Sequence, residues 1–156
     1  MTGETDRLVD DLVAARAAFM SALDAADAAG VTAPGHTGEW SARELVAHLG
    51  YWAGHAVEVI HAVETGRADE VGADEPPTEE VNATVARVAG ATSLGTVVKR
   101  EAASVQALLE RLAALDPSLL RERVGTAGTL EDAIREDGPA HYHEHTEALW
   151  AAMKDR

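Results

Sequence analysis

The chain has no cysteine, five prolines, six aromatic residues and only 13 lysines and arginines among its 156 residues. Without cysteine there is no disulfide, no thiolate metal ligand and no thiol nucleophile, as expected of a protein kept in a reducing cytoplasm. The 13 basic residues face 27 acidic ones, a net charge of −14 with histidines neutral. Such a chain has no basic face to neutralise phosphates, so nucleic acid is not an expected partner. The same field repels anionic lipid headgroups, so no membrane is expected either. Runs of about 18 apolar residues, as a membrane span needs, are also missing. The acidic start, Met1-Thr2-Gly3-Glu4-Thr5-Asp6, is unlike a signal peptide.

Alanine accounts for 32 residues. Alanine, leucine, glutamate and arginine favour helices, whereas strands draw on β-branched and aromatic residues. The expected fold is all-α, as one domain over residues 1–156. Leu8, Leu12, Ala15, Phe19, Leu23 and Ala26 recur at helical spacing, with Asp10, Asp11, Arg16 and Asp24 off that stripe. Gly30 ends this helix, and Val31 to Trp40 reads as a connection. Ser41-Ala42-Arg43-Glu44 has the form of a capping box. It opens a helix with Leu45, Leu49, Trp52, Ala56, Val59 and Val63 on one face and Gly66 as its C-terminal cap. Arg67 to Pro77 reads as an exposed acidic loop, and Thr78 to Ala89 as a short helix broken near Gly90. A long helix from Leu94 to Leu115 points Val97, Ala102, Val105, Leu108, Leu109 and Leu112 inward, until Asp116-Pro117 stops it. Thr129 is placed to cap the last stretch, in which Leu130, Ala133, Ile134, His141, His145, Ala148, Leu149 and Ala152 share a face. Gly138-Pro139 should kink or restart that stretch. Four substantial helices with two long connections describe a four-helix bundle.

Seven histidines remain to be placed, three of them between positions 141 and 145. At 100° per residue, His48 lies about 60° from Leu45, at the edge of the apolar stripe. His55 follows along the same edge, about 10 Å further on, and His61 points to solvent. His36 falls in a loop. His141 and His145 share the inward face and His143 projects opposite. An i, i+4 pair suits a metal ion, and equally a polar edge or a buried hydrogen-bonded pair. His48, on a facing helix among apolar neighbours, favours the metal, because bundles build such sites from inward side chains of facing helices. Three neutral imidazoles would leave a coordination position open, as catalytic sites do. Asp137 and Glu144 are the carboxylates close enough to be candidate catalytic residues, although Asp137 is more simply an N-cap of the restarted helix. Glu147 reads as a solvated charge, Tyr142 as packing, and Trp40 and Trp52 as packing at the end of the bundle. Trp150 points away from the His141 face, toward a dimer contact or a neighbouring helix.

The run Gly38-Glu39-Trp40-Ser41-Ala42-Arg43-Glu44-Leu45-Val46-Ala47-His48-Leu49, followed by His141-x-x-x-His145, resembles the DinB-like superfamily. That group includes the mycothiol-dependent maleylpyruvate isomerase N-terminal domain and the bacillithiol S-transferases. The likeness runs over nearly the whole chain and takes in the acidic loop and Asn82 of the short helix. It implies an up-down-down-up four-helix bundle, often a homodimer, with one divalent metal ion held by His48, His141 and His145. Maleylpyruvate isomerases carry a glutamate where His141 stands. His141-x-x-x-His145-x-Glu147 is also similar to the iron-binding motif of sulfoxide synthases of thiol-histidine biosynthesis.

The leading expectation is a metal-dependent thiol S-transferase or isomerase acting on a small molecule. Zinc heads the expected metals, with nickel or iron also suited to imidazole ligands. Lacking cysteine, the chain would borrow any thiol, such as mycothiol, from a low-molecular-weight cosubstrate. A metal-dependent hydrolase is the first rival, and a non-catalytic bundle that binds or sequesters a small molecule is the second.

Overall fold

Apolar residues at spacings of three and four build the first helix, α1 (Glu4–Ala28), which buries Leu8, Leu12, Phe19, Ala22 and Ala26. The computed structural model describes residues 3–31, 40–126 and 128–155. His36 and most of the expected 31–40 connection lie outside the described residues. Helix α2 (Ala42–Glu64) starts where the Glu44 carboxylate accepts the Ser41 N–H at 3.2 Å. The expected Ser41–Glu44 capping box is present in its arrangement, although the Ser41 hydroxyl itself is too far or too misaligned for a hydrogen bond. At its other end Gly66 turns left-handed, with φ +75°, and the Arg67 N–H closes on the Ala62 carbonyl at 2.7 Å.

A short 3-10 turn, Ala68–Glu70, interrupts the acidic loop before α3 (Thr78–Gly90), which buries only Ala89. Ser93 caps α4 (Leu94–Ala114) by accepting the Thr96 N–H at 3.2 Å, and Pro117 opens a 3-10 turn beyond it. Thr129 caps α5 (Leu130–Asp137) in the same way. The chain then breaks at Gly138 and restarts as α6 (Pro139–Lys154), with proline in the first turn. The described residues form helices and turns, with one isolated β-bridge between Arg123 and Thr129 and no strand. Helix α2 packs against α3, α4 and α5, while α1 packs against α6 and α4.

Two inward faces differ from expectation. On α4 the inward residue is Glu101, and Ala102 is exposed. On α6 the buried residues are Pro139, Tyr142, Thr146 and Leu149, leaving Ala148 exposed and His141 and His145 half-buried. The break at Gly138 is the reason: a stripe drawn straight through 130–152 assumes one continuous helix, and α6 starts in a new register.

Glu101 is a buried charge, 1% exposed, and every oxygen it has is used. Arg16 Nε and a terminal nitrogen each donate to it at 2.7 Å, and the Tyr142 hydroxyl donates at 2.6 Å. A charge taken out of water must be paired and hydrogen-bonded in this way. Burial, then the Glu101 carboxylate, push the Tyr142 phenol up and keep it protonated as that donor. The network ties α4 to α1 and α6. Gly50 completes it from α2, since a Cβ there would stand 2.9 Å from the Glu101 Cα.

Replacing Glu101 with alanine is expected to cost about 3 kcal/mol of unfolding free energy in a denaturant titration, because it strips a buried network of its acceptor. Glu131→Ala, which removes the exposed pair to Arg135, should cost no more than about 1 kcal/mol. Equal losses in the two variants would contradict the central role of Glu101.

Candidate metal centre

His48 comes from the apolar face of α2 and is 6% exposed. His141 and His145 sit one turn apart at the start of α6, placed there by Pro139. The three rings meet. His48 Nε2 and His141 Nε2 are 2.8 Å apart, and the His145 ring centroid lies 5.1 Å from that of His48 and 5.0 Å from that of His141. One nitrogen from each ring falls within 4.8 Å of the other two.

Burial, reinforced by His141 and His145, pulls the His48 pKa down to about 3. Burial and then His145 pull His141 down to about 4, and burial also lowers His145, against the raising effect of Glu144. All three imidazoles are therefore neutral at pH 7 and offer lone pairs. Tetrahedral zinc with Zn–N bonds near 2.1 Å holds its nitrogens about 3.4 Å apart. The triangle, with the His48–His141 pair at 2.8 Å and the ligand nitrogens all within 4.8 Å of one another, brackets that spacing. Only one proton can lie between the two Nε2 atoms, 2.8 Å apart, so at least one lone pair there faces the other ring. A cation engaging one nitrogen of each ring suits that convergence; the residues fit a divalent metal.

A cavity of about 390 Å³ opens beside the triangle, lined also by Trp40, Trp52, Thr78, Asn82, Glu136, Asp137 and Glu144. The Trp40 ring lies 4.6 Å from that of His48, and Trp52 Nε1 donates to Asn82 Oδ1 at 2.8 Å. Trp40 packs against the core as expected and also lines the pocket, while Trp52, expected to pack the end of the bundle, is a pocket wall. The Trp52–Asn82 bond explains why: an indole N–H in a half-buried site needs an acceptor, and α3 brings one.

Asp137 does not cap α6. It is the last residue of α5, Gly138 takes the cap position, and Asp137 Oδ2 instead accepts from His55 Nδ1 at 2.6 Å. His55 Nε2 bonds Glu75 Oε1 at 2.7 Å. Burial works against a charge on His55, but the two carboxylates overcome it and raise its pKa to about 9. Burial raises the Asp137 carboxyl, opposed by this same imidazolium. His55 was legible as an edge residue of α2; its partners, 82 and 20 positions away, leave no trace in local spacing. Glu144 is exposed and lines the cavity; Glu147 and His143 are exposed, and His61 faces solvent near Arg111.

Fold and site together define an all-helical protein whose three histidines, from two helices, are compatible with a metal site on an open pocket. The DinB superfamily family model matches residues 11–148, and the chain belongs to that superfamily. No curated protein and no solved structure matches it.

The two kinds of histidine should titrate oppositely in the metal-free protein. Imidazole NMR is expected to find His48 and His141 uncharged down to about pH 5, and His55 charged at about pH 8. His55, whose pKa is raised by folding, adds stability that is complete below about pH 6.5 and lost as the pH rises through about 9. His48 and His141 refuse a proton that the unfolded chain accepts, so stability also falls as the pH drops below about 6.5 toward 4. A charged His48 at about pH 6 would contradict this electrostatic picture.

Proposed function

We propose that this protein is a metal-dependent enzyme acting on a small molecule, as a thiol S-transferase or isomerase. The observation that carries the reading is the convergence of three neutral imidazoles at the wall of a cavity of about 390 Å³. His48, His141 and His145 would hold one divalent ion, zinc before nickel or iron. When bound, the ion supplies Lewis acidity, lowering the pKa of a thiol or water and polarising an electrophile.

The chain's own residues supply the rest. Trp40 and Trp52 present apolar walls, and the Trp52–Asn82 bond fixes the side of the pocket formed by α3. Glu144, exposed and lining the cavity, would take a proton from an incoming thiol. Asp137, bonded to His55, is less free to do so. With no cysteine in the chain, the thiol is a low-molecular-weight cosubstrate, mycothiol being one that the superfamily suggests. The scaffold we infer is a single domain over residues 1–156, an up-down-down-up four-helix bundle that works in the cytoplasm, with a homodimer as its assembly. Nucleic acid is not a partner in this reading. No helix among the described residues is long and apolar enough to cross a membrane.

A hydrolase is the second reading, and Glu144 favours it, because a carboxylate lining the cavity would equally serve as general base toward water.

Metal analysis of the purified protein should find one divalent ion per chain, and His48→Ala or His141→Ala should each lose most of it. Metal content that survives both substitutions would sink the site. Turnover of an electrophilic chromogenic substrate should require an added small thiol; turnover without one would select the hydrolase.

A further inference from the structure

His55 has no part in the histidine triangle, yet both of its ring nitrogens are committed. It stands seven residues after His48 on α2, donating through Nδ1 to Asp137 and through Nε2 to Glu75. Two such charge-assisted bonds fix an imidazolium firmly between its partners. Asp137 is the partner that matters. It is four residues before His141, its side chain is 13% exposed, and it lines the same cavity as the three histidines. Its carboxylate is nevertheless not among the atoms that converge there.

A carboxylate oxygen binds zinc at about the same distance as an imidazole nitrogen. A half-buried aspartate beside a cation, left without a partner, would gain more from the metal than from a few waters. Glu136 and Glu144 also line the cavity, but both are exposed to solvent. Asp137 is thus the carboxylate most ready to become a fourth ligand, and His55 is the group that already occupies it.

We propose that His55 keeps a coordination position of the histidine centre open by holding Asp137 away from it. The inference rests on the reading that His48, His141 and His145 bind a metal. His55 touches neither metal nor substrate; it is a positioning residue. Three nitrogen ligands leave room for an exogenous donor, whereas three nitrogens and a carboxylate make the closed tetrahedral set of a structural site.

Cobalt(II) added to the metal-stripped full-length chain reports the coordination number through its visible spectrum, and azide tests for an open position. The wild type should bind cobalt and its spectrum should shift with azide. His55→Met should bind cobalt about tenfold more tightly, the scale on which neighbouring groups tune metal affinity, and should no longer respond to azide. His55→Met/Asp137→Asn should regain the azide response, and Asp137→Asn alone should resemble the wild type. Should His55→Met fail to fold by circular dichroism, His55→Leu carries the same expectation. A wild type that ignores azide, an azide response that persists in the His55 variants with unchanged or weaker cobalt affinity, or a double variant that does not recover, would each overturn the role of His55. A wild type that takes up no cobalt would remove the metal reading itself, and this inference with it.

Discussion

The break at Gly138 is the constraint on which the site depends. At this residue, with φ −112° and ψ −105°, a Cβ would stand 2.9 Å from the Ile134 carbonyl oxygen and close to Leu12 and Leu108. The tight fit leaves no room for a side chain. Pro139 then restarts the chain, since it needs no amide in a first turn and cannot continue the helix before it. Three features meet at this break. Tyr142 turns inward to Glu101, His141 and His145 come to the edge facing His48, and Asp137 is left at the end of α5, within reach of His55.

Two polar clusters draw on the helix that follows that break and are built on opposite electrical principles. Around Glu101 a charge is kept in the interior by filling its coordination with Arg16 and Tyr142. At the histidines charge is refused: desolvation lowers all three imidazoles, repulsion from neighbouring histidines adds to it at His48 and His141, and the neutral state is the one a metal needs. The clusters share α6, through the adjacent residues Tyr142 and His141. Packing that positions Tyr142 therefore also positions a ring of the centre, linking the stability of the fold to the geometry of the site.

Much of this was legible in the sequence, for identifiable reasons. Helix starts at Ser41 and Thr129, the stop at Gly66 and the restart at Pro139 are local signals, and each falls where short-range chemistry requires it. His48, His141 and His145 were placed by helical angle and by resemblance, and the fold brings them together. What was hidden involves long-range partners. Nothing local marks Glu101 as buried, because its partner Arg16 is 85 positions away, and Ala102 stands in its place in the expected apolar stripe. Asp137 looked like a cap because nothing nearby announced His55. The pocket-lining role of Trp40 and Trp52 was hidden because a pocket wall and a core surface have the same composition.

X-ray absorption at the metal edge of the zinc-loaded wild type tests the central claim most directly. The account predicts three imidazole nitrogens at about 2.0–2.1 Å, with the remaining coordination filled by light, non-protein donors. Fewer than three imidazoles, or a spectrum unchanged when His48 is replaced by alanine, would contradict it.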